Sequence, residues 1–387
     1  MFVVVHYSEI GTKGKNRPFF EKKLVDNIRS AFAKETYKTI KRSYGRIIIE
    51  LQDNVDLKAV EQRLKETSGI ANFSFTYYSD LDLEKIKEKL LEIAKEHKDK
   101  TFRISAKRSN KEFKPDSQEL NEVLGELLVN KLGMKVSLGK PEVAFFVEIT
   151  ERGAFIYTDK IAGFGGLPVG VTGKVVSLLS GGLDSPVASY KMFKRGCSVV
   201  FVHFLPENES TNNVENKIVK LVDNLKRFQF KSKLYLVPFN WLQMEIIKAV
   251  PAKYRMIVYR RIMFRIAEKI LEKEGALGFV TGDSIAQVAS QTLENLNVIY
   301  EAAKYPVFAP LIGDDKREVI QVAEKIGTFD ISTLPYSDCC SFMIAEHPET
   351  KSKLEDIKSL ESNLKIDDLI NKTLEKTEVK VFMNKRL

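Results

Sequence analysis

The apolar run Phe2-Val-Val-Val-His6 has the length of a short buried strand, and between Arg17 and Lys34 the residues Phe20, Leu24, Ile28 and Phe32 fall at helical spacing. Three isoleucines at 47–49 predict a returning strand, closing a small α+β unit over residues 1–59. From 60 to 163 a second unit is expected. The pattern predicts helices over 57–67, 83–95 and 117–132, with strands over 73–77, 101–106 and 144–149 and another near Val136. Gly163-Phe-Gly-Gly-Leu-Pro-Val-Gly170 then breaks every periodicity and reads as a linker.

Beyond the linker, continuous apolar strands are predicted over 174–179, 198–204, 233–239 and 278–281. Helices separate them: one starting with Pro186, one over 214–228, a long stretch interrupted by Pro251, and one over 316–326. Strands without polar alternation, separated by helices, belong to a parallel sheet covered on both faces. The expected fold class is therefore α/β, with a C-terminal doubly wound parallel sheet over 164–387. The C-terminal stretch is charged and predicts no separate core.

Composition supports this division. With 387 residues, 44% hydrophobic and 29% charged, the chain is long enough for two or three cores and excludes disorder, a disulfide scaffold and a collagen-like fibre. No run of about 18 uncharged apolar residues occurs, and the N-terminal run is too short for a signal segment, so a cytoplasmic protein without membrane association is expected. Three cysteines, Cys197, Cys339 and Cys340, cannot supply four thiolates to a closed zinc site. A three-cysteine iron–sulfur site stays open.

Lys and Arg number 61 against 52 Asp and Glu, and residues 1–50 alone hold 11 basic against 5 acidic side chains. Such a bias suits a polyanion, because each neutralised phosphate releases counterions. Lys13, Lys15 and Arg17 lie in a loop with two glycines, and Lys107 and Arg108 close the strand that begins near Thr101. Both segments are candidate RNA contacts, or ordinary solvated turns.

The strongest local signal is Ser180-Gly-Gly-Leu-Asp-Ser-Pro186, between a predicted strand and a predicted helix. Gly181 and Gly182 let the backbone approach an anion, Ser180 and Ser185 offer hydroxyls, and the helix N-terminus supplies N–H groups and a positive dipole end. The Gly-Lys-Ser/Thr ending of the Walker loop is missing. Asp184 in such a cradle would repel phosphate unless a cation bridges them, which calls for Mg2+.

Ser180-Gly-Gly-Leu-Asp-Ser185 resembles the pyrophosphatase loop of enzymes that cleave ATP between its α- and β-phosphates and adenylate a carbonyl oxygen. Further segments narrow the likeness: Gly11-Thr-Lys-Gly-Lys-Asn-Arg-Pro-Phe-Phe20, Gly165-Gly-Leu-Pro-Val-Gly170, Tyr259-Arg-Arg261, Thr281-Gly-Asp-Ser284, Gln287-Val-Ala-Ser-Gln-Thr292 and Pro335-Tyr-Ser-Asp-Cys-Cys340. Over essentially its whole length the chain resembles the tRNA 4-thiouridine synthetases, a family also associated with thiamine thiazole synthesis. The resemblance implies a ferredoxin-like domain over 1–59, a THUMP RNA-binding domain over 60–163 and a pyrophosphatase-loop domain over 164–387. It also implies ATP-binding residues at Leu178, Leu179, Ser180, Gly181, Gly182, Asp184, Ser185, His203, Phe204, Arg260, Gly282 and Gln291, with Lys316 as an essential lysine. Cys339 or Cys340 would handle sulfur, and counting from Lys316 and Gly327 favours Cys339.

The chemistry implied is adenylation of the 4-oxygen of uridine 8 in tRNA, then replacement of that oxygen by sulfur. Longer family members append a rhodanese domain whose cysteine carries the persulfide; only 47 residues follow Cys340 here. Sulfur is therefore expected from another protein, a cysteine desulfurase, and onward transfer to a thiamine sulfur-carrier protein is less secure. Homodimer formation stays open. The competing readings are another pyrophosphatase-loop RNA-modifying or amide-forming synthetase, and an RNA-binding scaffold with a vestigial ATP site. The absence of a recognisable glutaminase region argues against the amidotransferases within the first, and the intact loop and paired cysteines disfavour the second.

Overall fold

Runs of β-branched residues set the strands of the N-terminal unit, Met1–Pro168. The structure is a computed structural model that describes residues 1–205, 211–335 and 345–384, the side chains of 211–215 excepted. This unit contains β1 (Phe2–His6), β2 (Tyr37–Ser43), β3 (Arg46–Leu51), β4 (Asn72–Ser79), β5 (Phe102–Arg108), β6 (Val143–Thr150), β7 (Gly153–Tyr157) and β8 (Ile161–Ala162). They form one sheet in the order β2-β3-β1-β4-β7-β6-β5, with β8 beside β4. Val3 and Val5 face a core shared with Leu24 and Ile28 of helix Arg17–Ala31, while Val4 packs on Ile48 and Phe155. Burial on both faces explains the unbroken valine run.

One strand serves both halves of this sheet. Residues 72–76 of β4 pair with β1, and Tyr77–Ser79 pair with β7. Val60, Leu64, Ile70 and Phe73 belong to the first core, which therefore reaches past the boundary expected at residue 59. The second core lies under helices Leu83–Ala94 and Ser117–Leu132. The strand expected near Val136 is a single bridge to Phe102, and the helix expected over 17–34 ends at Ala31. The glycine-rich segment is not a free linker: Gly163 and Gly165 donate to Ala71 and Ile70, while Gly170 donates to Gly196.

The C-terminal unit, Val169–Lys385, holds β9 (Lys174–Leu178), β10 (Ser198–Leu205), β11 (Lys231–Pro238), β12 (Phe279–Val280), β13 (Val307–Phe308) and β14 (Glu378–Met383), in the order β13-β12-β9-β10-β11-β14. The chain runs outward through β10 and β11, then returns to build on the other side of β9. That reversal makes the carboxyl ends of β9 and β12 a topological switch point, where loops diverge and leave a crevice. The sheet is parallel except at β14, which pairs antiparallel with β11 and departs from the all-parallel expectation.

The C-terminal stretch has no core of its own because it joins the main one. Ile357, Leu369 and Ile370 from helices Leu354–Glu361 and Ile366–Glu375 pack into the central cluster. Arg261, fully buried, bonds both carboxylate oxygens of Glu361 at 2.9 and 3.1 Å, and Arg265 bonds the same carboxylate. Among the described residues, no helix is long and apolar enough to cross a membrane. Glu361→Ala removes the carboxylate shared by Arg261 and Arg265, leaving buried Arg261 with the Val298 carbonyl and the more exposed Glu301, and is expected to destabilise the C-terminal unit by about 3–5 kcal/mol in urea unfolding. A loss below about 1 kcal/mol would show that the ion pair does not hold these helices.

Candidate functional site

Leu179 carries the end of β9 onward by donating its N–H to Val202 of β10, and the chain then turns sharply into helix Asp184–Lys194. The helix begins two residues before Pro186, which falls in the first turn, where a missing N–H breaks no helical bond. Ser185 closes the turn: its Oγ accepts from the Ser180 N–H at 2.8 Å, lies 3.1 Å from Ser180 Oγ and donates to the Ser180 carbonyl at 3.2 Å. Ser180 Oγ accepts from the Gly182 N–H at 3.3 Å. Buried Ser185 therefore braces the loop, and it also lines the cavity that the loop borders.

The loop after β12 comes to rest against this turn. A Cβ on Gly282 would stand 2.7 Å from the Ser185 nitrogen and 2.9 Å from the Asp184 carbonyl carbon, both backbone atoms unable to move aside. Glycine is required there by space. Between the two loops and the end of β10 lies a cavity of about 530 Å³. Of the twelve nucleotide-binding candidates, all but buried Gly181 line it.

The cavity has an apolar end and a polar end. Phe204, Met256, Met263 and Phe264 line the first. His203, buried at the end of β10, lies 2.7 Å from the Leu179 carbonyl through Nδ1; a carbonyl only accepts, so that nitrogen carries the proton. Arg260 grips Asp283 with both carboxylate oxygens at 2.7–2.8 Å, and Tyr300 and Gln291 donate to the same carboxylate. Burial pushes the Asp283 carboxyl up, but Arg260 and the Tyr300 hydroxyl outweigh it and hold the group below its ordinary range. Burial and the Asp283 charge push the Tyr300 phenol up. Gln291 Nε2 is committed to Asp283, and its buried Oε1 finds no partner among the described residues.

Asp184 stands at the polar end with both oxygens engaged, Oδ1 by Lys316 Nζ and Oδ2 by Gln287 Nε2, each at 2.9 Å. Lys316 opens helix Lys316–Lys325, which Asp315 and Glu318 cap reciprocally, so the lysine's backbone is fixed while its ammonium is half-exposed. Ala286, beside Gln287, holds a left-handed φ of 60°, a conformation that is costly for any residue with a Cβ.

Comparison with known proteins fits this geometry. The family described as Thiamine biosynthesis protein (ThiI) matches residues 170–366, the ThiI ferredoxin-like domain matches 2–74 and the THUMP domain matches 81–159. The chain is 43% identical to a probable tRNA sulfurtransferase of Caldanaerobacter subterraneus subsp. tengcongensis, over 94% of this chain and 95% of that one. The chain belongs to the ThiI family. A probable tRNA sulfurtransferase of Acetivibrio thermocellus is likewise 43% identical, over 97% of both chains. The crystal structure of a 4-thiouridine synthetase–RNA complex with bound ATP superimposes with a TM-score of 0.88 at 39% identity, covering 98% of this chain and 99% of that one.

Within this ThiI-family chain, the basic candidates of the N-terminal unit divide. Lys15 and Arg17 line a groove of about 940 Å³, whose other cations Lys22, Arg29, Lys41, Arg42 and Arg152 the sequence reading missed. Three of those lie on β2 or near β7, strands that the hydrophobic pattern did not reveal. Arg17 bonds Glu21 and Tyr7 at 2.8 and 2.7 Å, and Lys13 sits over the Phe20 ring. Arg108 donates to the Phe113 carbonyl, which braces its own turn. Lys107 lines a separate cavity beside His6, Arg46 and Lys160, around Glu148. There burial pushes Glu148 up, but His6, Arg46 and Tyr157 bring it down to about 2.

Cys339 and Cys340 lie outside the described residues. Cys197 is buried, with Sγ 3.2 Å from Thr172 Oγ1, as suits a packing residue. Asp283 and Gln287 escaped the sequence reading. Both lie inside quoted segments, Asp283 in Thr281-Gly-Asp-Ser284 and Gln287 at the start of Gln287-Val-Ala-Ser-Gln-Thr292, but neither was singled out as a site residue.

Gly282→Ala is expected to lower the stability of the C-terminal unit by about 1–3 kcal/mol, because two backbone loops must separate. Calorimetric unfolding of the variant at unchanged Tm would show that the close approach is not needed.

Proposed function

We propose that this chain is an ATP-dependent tRNA sulfurtransferase that adenylates the 4-oxygen of uridine 8 and replaces it with sulfur to give 4-thiouridine. The observation that carries this reading is one cavity at the sheet's switch point, closed at its polar end by the loop Ser180–Ser185 and the Asp184–Lys316 pair. A purine suits the apolar end, where Gln291 Oε1 offers a buried acceptor to an exocyclic amine. The triphosphate then runs toward Gly181, Gly182 and the N-terminus of helix Asp184–Lys194, whose N–H groups are oriented toward negative charge. Arg260, already paired with Asp283, shapes the wall.

Asp184 fits a magnesium ion: one carboxylate with phosphate oxygens and waters is an ordinary donor set for it, and no cluster of three or more His, Cys, Asp or Glu occurs among the described residues. When bound, Mg2+ supplies charge neutralisation on the phosphates. Asp184 would hold that ion, and the Lys316 ammonium beside it would stabilise the negative charge that passes to pyrophosphate as it leaves. The uridine 4-oxygen bonds to the α-phosphorus and the Pα–O–Pβ bond breaks. A persulfide on Cys339 or Cys340, loaded by a cysteine desulfurase, then attacks C4 as AMP departs, and a second thiol resolves the resulting disulfide. Adenylation is needed because the oxygen of a uridine carbonyl is otherwise a poor leaving group.

Asp184→Asn and Lys316→Met are each expected to reduce tRNA-dependent pyrophosphate release at least about a hundredfold, with tRNA affinity unchanged within about threefold. Normal adenylation by either variant removes that residue from the phosphate site. The basic groove of the N-terminal unit is proposed to hold the RNA backbone, a contact that positions without reading sequence. Lys41→Glu with Arg42→Glu is expected to weaken tRNA binding about tenfold or more and to flatten its salt dependence. An unaltered slope of log affinity against log salt assigns the RNA elsewhere.

A further inference from the structure

Strand register in the N-terminal unit gathers charged side chains around one cavity. His6 of β1 stands opposite Arg46 of β3 on one side and Asn72 of β4 on the other, and Lys107 of β5 stands opposite Glu148 of β6. With Gly45 and Lys160 these residues line a space of about 330 Å³.

The one carboxylate there is already matched. Buried Glu148 meets His6 Nε2 at 2.8 Å and the Tyr157 hydroxyl at 2.6 Å through one oxygen, and Arg46 Nε lies 2.8 Å from the other. Arg46 is itself nine-tenths buried, and its charge and that of Glu148 cancel. Lys107 and Lys160 are left over, with no ion pair among the described residues. Lys160 is nonetheless held in place, its Nζ 3.8 Å from the centroid of the Phe146 ring, on which Tyr157 stacks. Burial first, and then the Lys107 charge, push the Lys160 ammonium pKa down, as happens where two cations crowd without an anion between them. On the same wall His6 Nδ1 and Asn72 Oδ1 have no hydrogen-bond partner among the described residues, polarity that the fold leaves unused.

Gly45, in the turn between β2 and β3, lines both this cavity and the larger basic groove, so the two adjoin. The groove strings Lys15, Lys22, Lys41 and Arg42 along its length, which suits a row of phosphodiesters with one charge each. The cavity has about a third of that volume and two adjacent uncompensated ammonium groups. That suits a single phosphate monoester, which carries close to two charges at neutral pH. In a tRNA such a group occurs at the 5′ end, and uridine 8 lies near that end.

We propose that the cavity flanked by Lys107 and Lys160 binds the terminal 5′-phosphate of tRNA, so that the N-terminal unit takes its register on the acceptor stem from a chain end rather than from base sequence. The choice of tRNA rests on the sulfurtransferase reading; the demand for a doubly charged phosphate rests on the cavity.

The test is equilibrium binding of the full chain to one tRNA transcript carrying either a 5′-monophosphate or a 5′-hydroxyl, at a single salt concentration and without ATP or a sulfur donor. The parent should bind the monophosphate form about tenfold more tightly. Lys107→Gln with Lys160→Gln should bind both forms alike, whereas Lys107→Arg with Lys160→Arg, which keeps both charges, should retain part of the preference. Both lysines are exposed, so the fold is expected to survive either pair of changes, and the parent's own preference is read without any substitution. Equal binding of the two forms by the parent, or a full preference in the glutamine variant, overturns the proposal. A parent that thiolates tRNA but binds both forms alike overturns the phosphate site alone. A parent that binds neither form overturns the tRNA reading, and the proposal with it.

Discussion

The loop after β12 can lie against the start of helix Asp184–Lys194 only because residue 282 has no Cβ. Everything at the site follows from that approach. It brings Asp283 beneath Arg260, sets Gln287 against Asp184, and closes a cavity that the carboxyl ends of β9 and β10 alone would leave open. The parallel sheet makes such a meeting available by reversing direction at β9, and the missing side chain makes it close enough to be useful.

Two aspartates ninety-nine residues apart acquire opposite roles from their surroundings. Asp283 is buried and matched by a phenol and by Arg260 Nη2, which bridges both carboxylate oxygens, so it stays ionised and rigid and orients Gln291. Asp184 stands in a more open place and is held by a lysine and an amide, partners that can exchange for a cation or a phosphate without unfolding anything. Stiff wall and exchangeable mouth are what a site needs when a charged substrate must enter and pyrophosphate must leave.

The N-terminal unit applies a different economy. One strand, β4, pairs with β1 along its first half and with β7 along its second, so two small cores share a continuous sheet. Its cations gather on the side where β2 faces helix Arg17–Ala31, though several are tied to acidic neighbours: Arg17 to Glu21, and Arg42 to the same carboxylate at 3.6 Å. Part of the positive charge counted in the sequence is thus internal structure, and only the remainder is offered outward.

The sequence by itself determined what depends on neighbours along the chain. Apolar periodicity found β1, β9, β10 and β11, and the short Ser180–Ser185 motif located the turn at the end of β9, because strand burial and glycine spacing are written locally. Strands β2, β7, β13 and β14 were not legible: β2 and β14 expose much of their length and take their order from pairing with a partner distant in sequence. The same division runs through the site. Gly282 and Arg260 could be pointed to by resemblance, but that Arg260 serves Asp283, that Ser185 braces its own loop and that Gln287 meets Asp184 are facts of three-dimensional proximity. A motif fixes which groups are present; only packing decides which of them remain free to meet a ligand, since a hydroxyl or guanidinium already satisfied by the protein has no unmet bond to offer.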